Sequence, residues 1–462
     1  MKKLIALAIL VMAGVLALVL GPALPGAAGN AGDGGTTQPR LEGLRVGCAH
    51  LSIGPNGRVR VTVVGVSETG WPLRTTARIT CGRSTKRGTG SIVITKWSDI
   101  HKVTLPGVLK PGMRYYYDIT LTGNGHVLRL PAGGRYSFVA PPGPTTWGAS
   151  LAVFGDCRPW TERIHHLVSE EWPPVATALA RTRPWLCLGA GDYIFAQASR
   201  TNAHYEPAVP DTRHRLDLRY EAFFGVADRI GSQAPLMLAP GNHEELGSAD
   251  IPALSAWRYW LDFPAPDDSN MRYYSFDWGT RVHVAIIDPP EWSAFGFAGD
   301  GKAGNSRQAA WLIRDLKQNR KPWTIVLMHV PMFDPQPGAY WSGHKVYEGY
   351  PVDPAERDRL AAFLHEQGVD IVFQGHMSHY QRHMHNGTPY VIQGGGGAQL
   401  DAVYRDKFDA AAYSWWGFST LRFKDKFGHA ILTSYKVYPT PNVAAPLVTI
   451  GDRLVLKNNP RH

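Results

Sequence analysis

Two patterns of apolar and polar residues divide the chain near residue 148. From about residue 43 to residue 140, short runs rich in Val, Ile, Thr and Tyr, such as RVRVTVVGV and RYYYDITL, are separated by Gly, Asn and Pro turns. No helical periodicity lies between these runs, and this pattern is typical of a β-sandwich. We therefore predict a small all-β sandwich over residues 43–142.

After residue 148, apolar runs alternate with amphipathic helical stretches. Strands are predicted at 150–156, 185–192, 235–244, 281–288, 323–329 and 369–376, and helices at 163–181, 213–229, 306–319 and 354–368. Alternation of buried strands and helices indicates a largely parallel sheet covered on both faces. We expect this domain to cover residues 148–440 and residues 441–462 to form a C-terminal tail.

The first residues have the pattern of a secretory signal. Lys2 and Lys3 precede an apolar run over residues 4–20, which is followed by an Ala/Gly-rich stretch around residues 23–29. This order predicts a cleaved signal peptide over residues 1–29, followed by a linker at 30–42. The mature chain would be secreted or periplasmic, with no membrane span. The alternative is an uncleaved membrane anchor, because the run approaches the length of a spanning helix.

Composition adds three constraints. The 462 residues are 44% hydrophobic and 19% charged, which suffices for more than one core. The net charge of +10 suits an anionic ligand or simple solubility, and the sequence has no nucleic-acid-binding motif. Four cysteines in an exported chain allow two disulfides, and Cys48 with Cys81 is the favoured pair.

Polar residues follow five of the predicted strands. They are Asp156, Asp192, Asn242 with His243, His329 and His376. A single Asp at such a position is more often a helix cap, and a single His is more often structural. Five strand ends that deliver polar residues to one edge instead predict a site. Carboxylate, amide and imidazole ligands suit Fe, Zn or Mn, and a carboxylate shared by two ions is the usual basis of two-metal hydrolysis.

The motifs that carry these residues have a recognisable order. They are GD (155–156), GD (191–192), GNHE (241–244), VLMH (326–329) and GH (375–376). With them the chain resembles the calcineurin-like metallophosphoesterases, and among these the purple acid phosphatases. The resemblance implies an α/β metallophosphoesterase sandwich with mixed, largely parallel sheets flanked by helices, preceded by an Ig/fibronectin-III-like β-sandwich. It also implies an exported enzyme that hydrolyses small phosphomonoesters with metal-activated water.

The resemblance assigns a role to each residue. Asp192 would be the carboxylate that bridges two ions, and Asp156 would serve the first of these ions. The ligands that complete the second site would be Asn242, His329 and His376. His243 would lie outside the metal shell, where it would bind phosphate or protonate the leaving oxygen.

Three positions depart from the family pattern. Arg158 stands where calcineurin-like enzymes usually have a His, and Phe195 stands where the purple enzymes have a Tyr. Ser378 replaces the second His of the last motif, GHxH. One ion is therefore predicted at the site of Asp192, whereas a second ion would keep only Asp156 and the shared carboxylate. Without a phenolate at position 195, a purple ferric centre is not expected.

Three interpretations of the depleted half remain open. Arg158 could supply the positive charge and bind phosphate in place of an ion. The site could instead be rebuilt with His379, Tyr193 or Cys157 as replacement ligand. The third interpretation is a catalytically weak or inactive protein that binds metal or phosphate on the same scaffold.

Further segments are expected around the site. The loops 195–212, 290–305 and 334–352 would determine the substrate. GGGG (394–397) would be a tight backbone passage beside the site, because glycine permits close approach. YSWWGF (413–418) is a candidate lining for the mouth of the site, although core packing explains most aromatic residues. The oligomeric state is left open.

Overall fold

The computed structural model describes residues 43–160, 166–196, 213–244, 254–289, 295–297, 306–333, 340–341, 344–345, 354–439 and 445–458. The predicted signal peptide and linker lie outside these ranges. Across the described ranges, no helix combines the length and the apolar character needed to cross a bilayer.

The N-terminal region consists of two antiparallel sheets. Its strands are β1 (Arg45–Ile53), β2 (Val59–Val66), β3 (Pro72–Leu73), β4 (Thr76–Gly82), β5 (Ser91–Ile94), β6 (Ile100–Thr104), β7 (Arg114–Gly123), β8 (His126–Leu130) and β9 (Tyr136–Val139). One sheet has the order β1-β2-β3 with β6 also on β2, and the other has the order β5-β4-β7-β8 with β9 also on β7. Leu51, Val61, Ile79 and Ile119 are among the residues of their shared core. The region is all-β, and its Ig/fibronectin-III-like classification stays a prediction.

The cysteines correct one expectation. All four are buried and unpaired, so the disulfide predicted between Cys48 and Cys81 is wrong. Cys81 belongs to the core between the two N-terminal sheets. Cys48 belongs to the core that also contains Phe224 of the α/β region. Because successive side chains of a strand point to opposite faces, β1 directs Cys48 away from the sandwich interior.

The α/β region begins with β10 and contains the remaining strands and the helices. The strands are β10 (Ser150–Phe154), β11 (Leu186–Gly189), β12 (Leu236–Leu238), β13 (Tyr274–Trp278), β14 (Val282–Ile286), β15 (Trp323–Leu327), β16 (Tyr340–Trp341), β17 (His344–Lys345), β18 (Ile371–Gln374), β19 (Tyr380–His385), β20 (Thr388–Gln393), β21 (Asp409–Tyr413), β22 (Gly417–Lys424), β23 (His429–Tyr438) and β24 (Leu447–Lys457). The helices are α1 (Trp172–Arg181), α2 (Arg213–Gly231), α3 (Ser255–Trp260), α4 (Arg307–Gln318) and α5 (Pro354–Glu366).

Apart from β16 and β17, which pair with each other, these strands form two mixed sheets. The six-stranded sheet has the order β12-β11-β10-β22-β23-β24, and the seven-stranded sheet has the order β13-β14-β15-β18-β20-β19-β21. β10, β11 and β12 are parallel to one another, as are β14, β15, β18 and β20. Antiparallel strands complete both sheets, and every strand that leads to the predicted site lies in a parallel part of its sheet.

Two boundaries differ from those predicted. α1 begins at Trp172 rather than at residue 163, because prolines at positions 173 and 174 fit the first helical turn and lack the amide hydrogen needed further inside a helix. Residues 441–462 were expected to form a tail, whereas β24 pairs with β23 along its whole length. The α/β sheet therefore extends beyond residue 440.

The N-terminal sheets pack directly on the α/β region. The backbone N–H of Ala49 donates to Oδ2 of Asp228 at 2.7 Å, and the hydroxyl of Tyr117 donates to the carbonyl of Ser232 at 3.0 Å. The ammonium of Lys102 donates to the carbonyl of Arg258 at 2.7 Å. These contacts are made by α2 and α3 and by the turn after α2, on elements other than the strand ends described next.

Candidate metal centre

The structure brings the five strand ends together. β10, β11 and β12 of one sheet and β15 and β18 of the other are followed by the polar residues of the predicted site: Asp156, Asp192, Asn242 with His243, His329 and His376. Oxygen or nitrogen atoms of Asp156, Asp192 and His329 all lie within 4.8 Å of one another. The two sheets thus contribute to one cluster.

Unusual backbone conformations aim three of these side chains at the cluster. Asp156, Asp192 and His376 have φ angles of 54°, 59° and 71°. This left-handed region is uncommon for residues with a Cβ and costs about 1–3 kcal/mol, so such residues concentrate at functional sites. Each follows a glycine in the sequence, and a Cβ on Gly375 would lie 2.8 Å from Oδ2 of Asp156. The GD and GH pairs therefore combine close backbone approach with a sharp turn.

One half of the cluster has the chemistry of a metal site. Nδ1 of His329 donates to the carbonyl of Ala190 at 2.7 Å, so in the neutral ring Nε2 carries only a lone pair. This Nε2 lies 2.9 Å from Oδ1 of Asn242 and 3.2 Å from Oδ1 of Asp192, and neither oxygen can donate. Three lone pairs that converge without a hydrogen repel one another unless a cation lies between them. The residues present therefore fit an ion.

His376 lies at the same point. Its Nδ1 is 3.3 Å from Oδ1 of Asn242 and 3.3 Å from Nε2 of His329. Burial first and the neighbouring His329 second lower the pKa of His376 to about 3, so its ring is neutral. A neutral imidazole is the form that binds a metal. The structure therefore brings the side chains of Asn242, His329 and His376 together, and their role as ligands stays a prediction.

Asp192 is held in its ionised form. Burial alone would raise the pKa of this carboxyl, but the facing ring nitrogens of His329 and His243 and the guanidinium of Arg158 bring it below the usual range. Oδ1 also accepts the backbone N–H of His243 at 3.2 Å. Asp192 can therefore offer a carboxylate to an ion at any pH near neutrality.

Glu244 fixes the loops that carry the ligands, a role that the sequence analysis did not assign. Its side chain is buried, and its two oxygens accept backbone N–H groups from both sides of the site. The donors are Asp192 at 2.9 Å, Tyr193 at 2.7 Å, Ile194 at 3.0 Å and Gly241 at 2.8 Å. The turn after β11 is thus bound to the turn after β12. The Glu of GNHE could have indicated this role. A carboxylate that is buried next to predicted ligands needs hydrogen-bond donors around it.

The other half of the cluster is built differently. Oδ2 of Asp156 accepts the backbone N–H of His376 at 3.0 Å, whereas Oδ1 is buried without a hydrogen-bond partner among the described residues. Burial and the charge of Asp192 raise the pKa of Asp156 well above its usual value. A Cβ on Gly394 would lie 2.9 Å from Oδ2 of Asp156, so the GGGG segment does pass closely beside the site.

Arg158 occupies the side of Asp192 that faces this half. Its Nε donates to Oδ2 of Asp192 at 3.2 Å, and its guanidinium carbon lies 4.8 Å from the centre of the Phe195 ring. The oxygen that would bridge to a second ion is therefore already bonded to a cation. Phe195 supports the guanidinium in the position where the purple enzymes have a ligand tyrosine, so a second ion fits this half poorly.

The proposed replacement ligands do not join the cluster. Nε2 of His379 is bonded to Oε1 of Gln381 at 3.0 Å, and the hydroxyl of Tyr193 donates to the carbonyl of Ala239 at 2.9 Å. Cys157 is fully buried in the apolar core. Among the described residues, the structure thus gives no support to a rebuilt second site. Ser378 is also buried, and its backbone N–H donates to Asp401 at 2.6 Å.

His243 lies at the edge of the cluster, next to Arg158. Its Nε2 is 3.6 Å from Oδ2 of Asp192, and its ring packs edge-on against Phe195 with centroids 4.4 Å apart. Burial lowers the pKa of His243 to about 3, against the opposing charge of Asp192. Most residues of the predicted pocket loops 195–212, 290–305 and 334–352 lie outside the described residues.

Comparison with known proteins agrees with this geometry. A family model for calcineurin-like phosphoesterases matches residues 156–380, from the first aspartate of the cluster to just beyond its last histidine. This part of the chain is similar to the calcineurin-like phosphoesterases. The family expected from the five motifs is thereby confirmed, and within it the similarity is to the purple acid phosphatases.

Two relatives show the extent of that similarity. Purple acid phosphatase 15 of Arabidopsis thaliana is 27% identical over 322 residues, which are 64% of this chain and 53% of that protein. Purple acid phosphatase 21 of the same plant is 26% identical over 384 residues, or 78% and 73% of the two chains. The chain thus spans between about half and three quarters of the lengths of these relatives.

Solved structures confirm the fold. A purple acid phosphatase, PPD1, from yellow lupin superimposes with a TM-score of 0.65 at 18% identity, covering 89% of this chain and 74% of that one. The structure of PhoD gives a TM-score of 0.62 at 12% identity, with 93% and 92% covered. These similarities show a metallophosphoesterase α/β fold with mixed sheets.

Proposed function

We propose that the chain is an exported phosphoesterase that hydrolyses phosphomonoesters and works with one bound metal ion. The observation that carries this proposal is the convergence of lone pairs around Nε2 of His329, with Asn242 at 2.9 Å and Asp192 at 3.2 Å. His376 would be the fourth ligand. Fe, Zn and Mn suit such a set of carboxylate, amide and imidazole donors.

The residues around the ion would divide the work. A bound ion would polarise a phosphoryl oxygen and lower the pKa of a bound water. Arg158 would pair with phosphate oxygens, since a guanidinium binds phosphate in a fork. His243, neutral in the free protein, would give its N–H to the phosphate. A dianionic phosphate would raise the pKa of this ring again and allow it to protonate the leaving oxygen.

Asp156 would face the same phosphate from the depleted half. Its unbonded Oδ1 would accept a hydrogen bond from a water or contact a weakly held second ion. Arg158 opposes the second of these roles, because it takes up the oxygen of Asp192 that two ions would share. We therefore assign a single firmly bound ion to the site.

A second candidate function follows from the same contact. If the pairing of Arg158 with Asp192 replaces the ion that would deliver the attacking water, the protein would bind phosphate with little or no catalysis. It would then be a weak or inactive member of the family that retains the metal and the phosphate pocket.

Two further proposals concern the N-terminal residues. The basic start, apolar run and small-residue stretch support a cleaved signal peptide and a secreted or periplasmic protein. The two packed antiparallel sheets support an Ig/fibronectin-III-like module in front of the catalytic domain. The alternative to secretion is an uncleaved signal that anchors the protein to a membrane.

The function can be tested on the mature chain. Metal content per chain would be measured after purification, and hydrolysis of a chromogenic phosphomonoester would be assayed with Mn, Zn or Fe added. We expect about one tightly bound ion, and activity that Asn242→Ala and His243→Ala each lower by at least about 100-fold, in the range found for removal of groups that stabilise the transition state.

The matched control is His385→Ala, which removes a half-buried histidine that packs on Phe333. It should retain both the ion and the activity. Activity that survives both site variants would overturn the enzymatic assignment. Two tightly bound ions would overturn the single-ion site, and an ion without turnover would favour the phosphate-binding alternative.

A further inference from the structure

Two arginines at the ends of neighbouring helices line a cleft that takes no part in the proposed chemistry. The cleft lies where α1 and α2 both end, and its volume is about 730 Å³. Arg229 belongs to the last turn of α2, and Arg183 follows the last residue of α1 by two positions. Of the seven described residues that line the cleft, three are arginines and none is acidic. The cleft therefore has a positive potential.

A hydrogen bond fixes the side chain of Arg229 across the two helices. Its Nη1 donates to the hydroxyl oxygen of Thr177 on α1 at 2.7 Å, and that hydroxyl donates to the carbonyl of Pro173 at 2.8 Å. A guanidinium has five N–H donors, so this one bond leaves most of them for a ligand. The side chain is exposed, and it forms no ion pair with any other described residue.

Arg183 lines the cleft from a turn rather than from a helix. Its φ is 51°, a left-handed conformation that is uncommon for a residue with a Cβ, and its backbone N–H donates to the carbonyl of Ala180 at 3.1 Å. The dipole of a helix stabilises a basic residue in the last turn, as it does Arg229. Arg183 lies beyond the last turn, is exposed, and is likewise without an ion pair among the described residues. Helix stability therefore does not account for the second guanidinium.

Two guanidiniums on separate segments match a ligand with two anionic groups. Each guanidinium pairs with phosphate oxygens through two parallel hydrogen bonds, whereas a single phosphate ion would leave the second arginine unpaired. A volume of about 730 Å³ is within the range of small-molecule sites. We call the site formed by Thr177, Arg183 and Arg229 the arginine cleft. We propose that it binds a small molecule with two or more linked phosphate groups, an oligophosphate.

The arginine cleft is separate from the candidate metal centre. Just before α1, the hydroxyl of Ser169 donates at 2.5 Å to the carbonyl of Gly397, in the glycine segment that passes beside Asp156. The ten residues of α1 then lead away from that point to the cleft, over about 15 Å at 1.5 Å per residue. Binding in the arginine cleft therefore requires neither the ion nor turnover, and it goes beyond the phosphoesterase function.

Calorimetry with probes that are not hydrolysed as esters tests this proposal on the full, metal-loaded chain. Methylenediphosphonate carries two phosphonate groups on one carbon, methylphosphonate carries one, and malonate carries two carboxylates in the same arrangement. We expect methylenediphosphonate to bind at two sites, the metal centre and the arginine cleft. The other two probes should bind the cleft at least about 10-fold more weakly, because they make fewer charge-assisted bonds.

Arginine variants identify the second site. Arg183→Gln with Arg229→Gln should weaken the binding of methylenediphosphonate to the cleft by at least about 10-fold, because both pairs of donors are lost. Arg183→Lys keeps the charge but loses the forked donors, and should weaken this binding by about 2- to 5-fold. Arg158→Ala should change only the binding event at the metal centre. The matched control is Arg314→Gln, which removes an exposed arginine from α4 and should change neither event.

Thr177→Val separates ligand binding from helix packing. It removes the bond that holds Arg229 but keeps both guanidiniums, so the affinity of the cleft should fall by less than about 3-fold. A loss as large as that of the double arginine variant would overturn the arginine cleft, and so would a single binding event in the unaltered protein. Malonate that binds the cleft as tightly as methylenediphosphonate would overturn the assignment to phosphate groups.

Discussion

Asp156 and Asp192 occupy equivalent places in the fold and have opposite environments. They follow the adjacent parallel strands β10 and β11. Both have left-handed φ angles, 54° for Asp156 and 59° for Asp192, and both side chains are buried. Yet the pKa of Asp192 lies below its usual range and that of Asp156 lies well above it. The position at a strand end therefore sets the direction of a side chain, and its neighbours set its charge.

The neighbours differ in a simple way. Asp192 is within 3.6 Å of side-chain nitrogens of Arg158, His243 and His329. Asp156 receives one backbone N–H, and burial with the negative charge of Asp192 outweighs the positive charge of Arg158 in its surroundings. The centre is therefore asymmetric, with electron-pair donors on the side of His329 and the guanidinium of Arg158 on the other.

Removing one charge from each carboxyl should show the largest difference between them. Asp192→Asn should weaken ion binding by more than about 100-fold, because it takes a charged ligand from the site, while loss even of a group outside the ligand shell costs 10–100-fold. Asp156→Asn should weaken it by less than about 10-fold. Isothermal titration calorimetry of the metal-free variants with Zn or Mn would measure the ion affinity of each. Equal losses would mean that both carboxylates hold the ion.

Glu244 should be the next most sensitive position. Glu244→Gln replaces one acceptor oxygen by an NH₂ group and leaves two buried backbone N–H groups facing a donor. Each unsatisfied buried donor costs about 1–3 kcal/mol, so the free energy of unfolding should fall by about 2–4 kcal/mol. Urea unfolding would measure this loss. Because the turns that present Asp192 and Asn242 are both bonded to Glu244, ion affinity should fall as well.

The control for Glu244 is Glu356, another buried carboxylate that accepts two backbone N–H groups. Its oxygens are bonded to Phe295 and Phe297, away from the cluster. Glu356→Gln should lower stability without changing ion affinity. A Glu244→Gln protein that loses stability but keeps full ion affinity would show that this carboxylate serves the fold alone.

Arg158 offers a direct change in the depleted half. Arg158→Ala should raise the inhibition constant of inorganic phosphate by about 10-fold or more, since charge-assisted bonds to phosphate are lost, each worth about 1.5–3 kcal/mol. Arg158→Lys keeps the charge but loses the forked pair of donors. Its inhibition constant for phosphate should lie between those of the unaltered protein and Arg158→Ala. If the variant instead binds a second ion and gains activity, the guanidinium blocks a functional metal site rather than replacing it.

The sequence predicted the ligand half better than the depleted half for physical reasons. Local sequence patterns identify the strand ends that carry GNHE and the histidines. The structure brings four of these residues together: Asp192, Asn242, His329 and His376. Whether His379 could replace the missing histidine depended on a one-residue shift after β18. In the structure, His379 is bonded to Gln381 on the following strand and does not reach the cluster. The sequence pattern could not indicate this hydrogen bond.

Two other differences have the same origin. The pairing of Cys48 with Cys81 was inferred from strand-like surroundings, but which face of β1 meets α2 is decided by packing between the two regions. The role of Glu244 depends on bonds to residues 50–52 positions earlier in the chain. Residue type and spacing predict where side chains are delivered. They do not predict the partners that distant segments supply.

The smallest effect should be a difference in how each carboxyl links stability to pH in the metal-free protein. Asp156 has a folded pKa above its unfolded value of 3.8, so its contribution is present below that pH. It declines as the pH rises, because the unfolded chain releases the proton first. Asp192 has a folded pKa below 3.8, so its contribution is present above that pH and is lost as the pH falls.

Each unit by which the folded pKa differs from the unfolded pKa changes the free energy of unfolding by about 1.4 kcal/mol. In urea unfolding with a chelator between about pH 3 and pH 7, Asp156→Asn should flatten the decline above pH 4, and Asp192→Asn should flatten the loss below it. Parallel curves for the two variants would show that the carboxyls share one environment, and the asymmetry of the centre would then rest on ligand geometry alone.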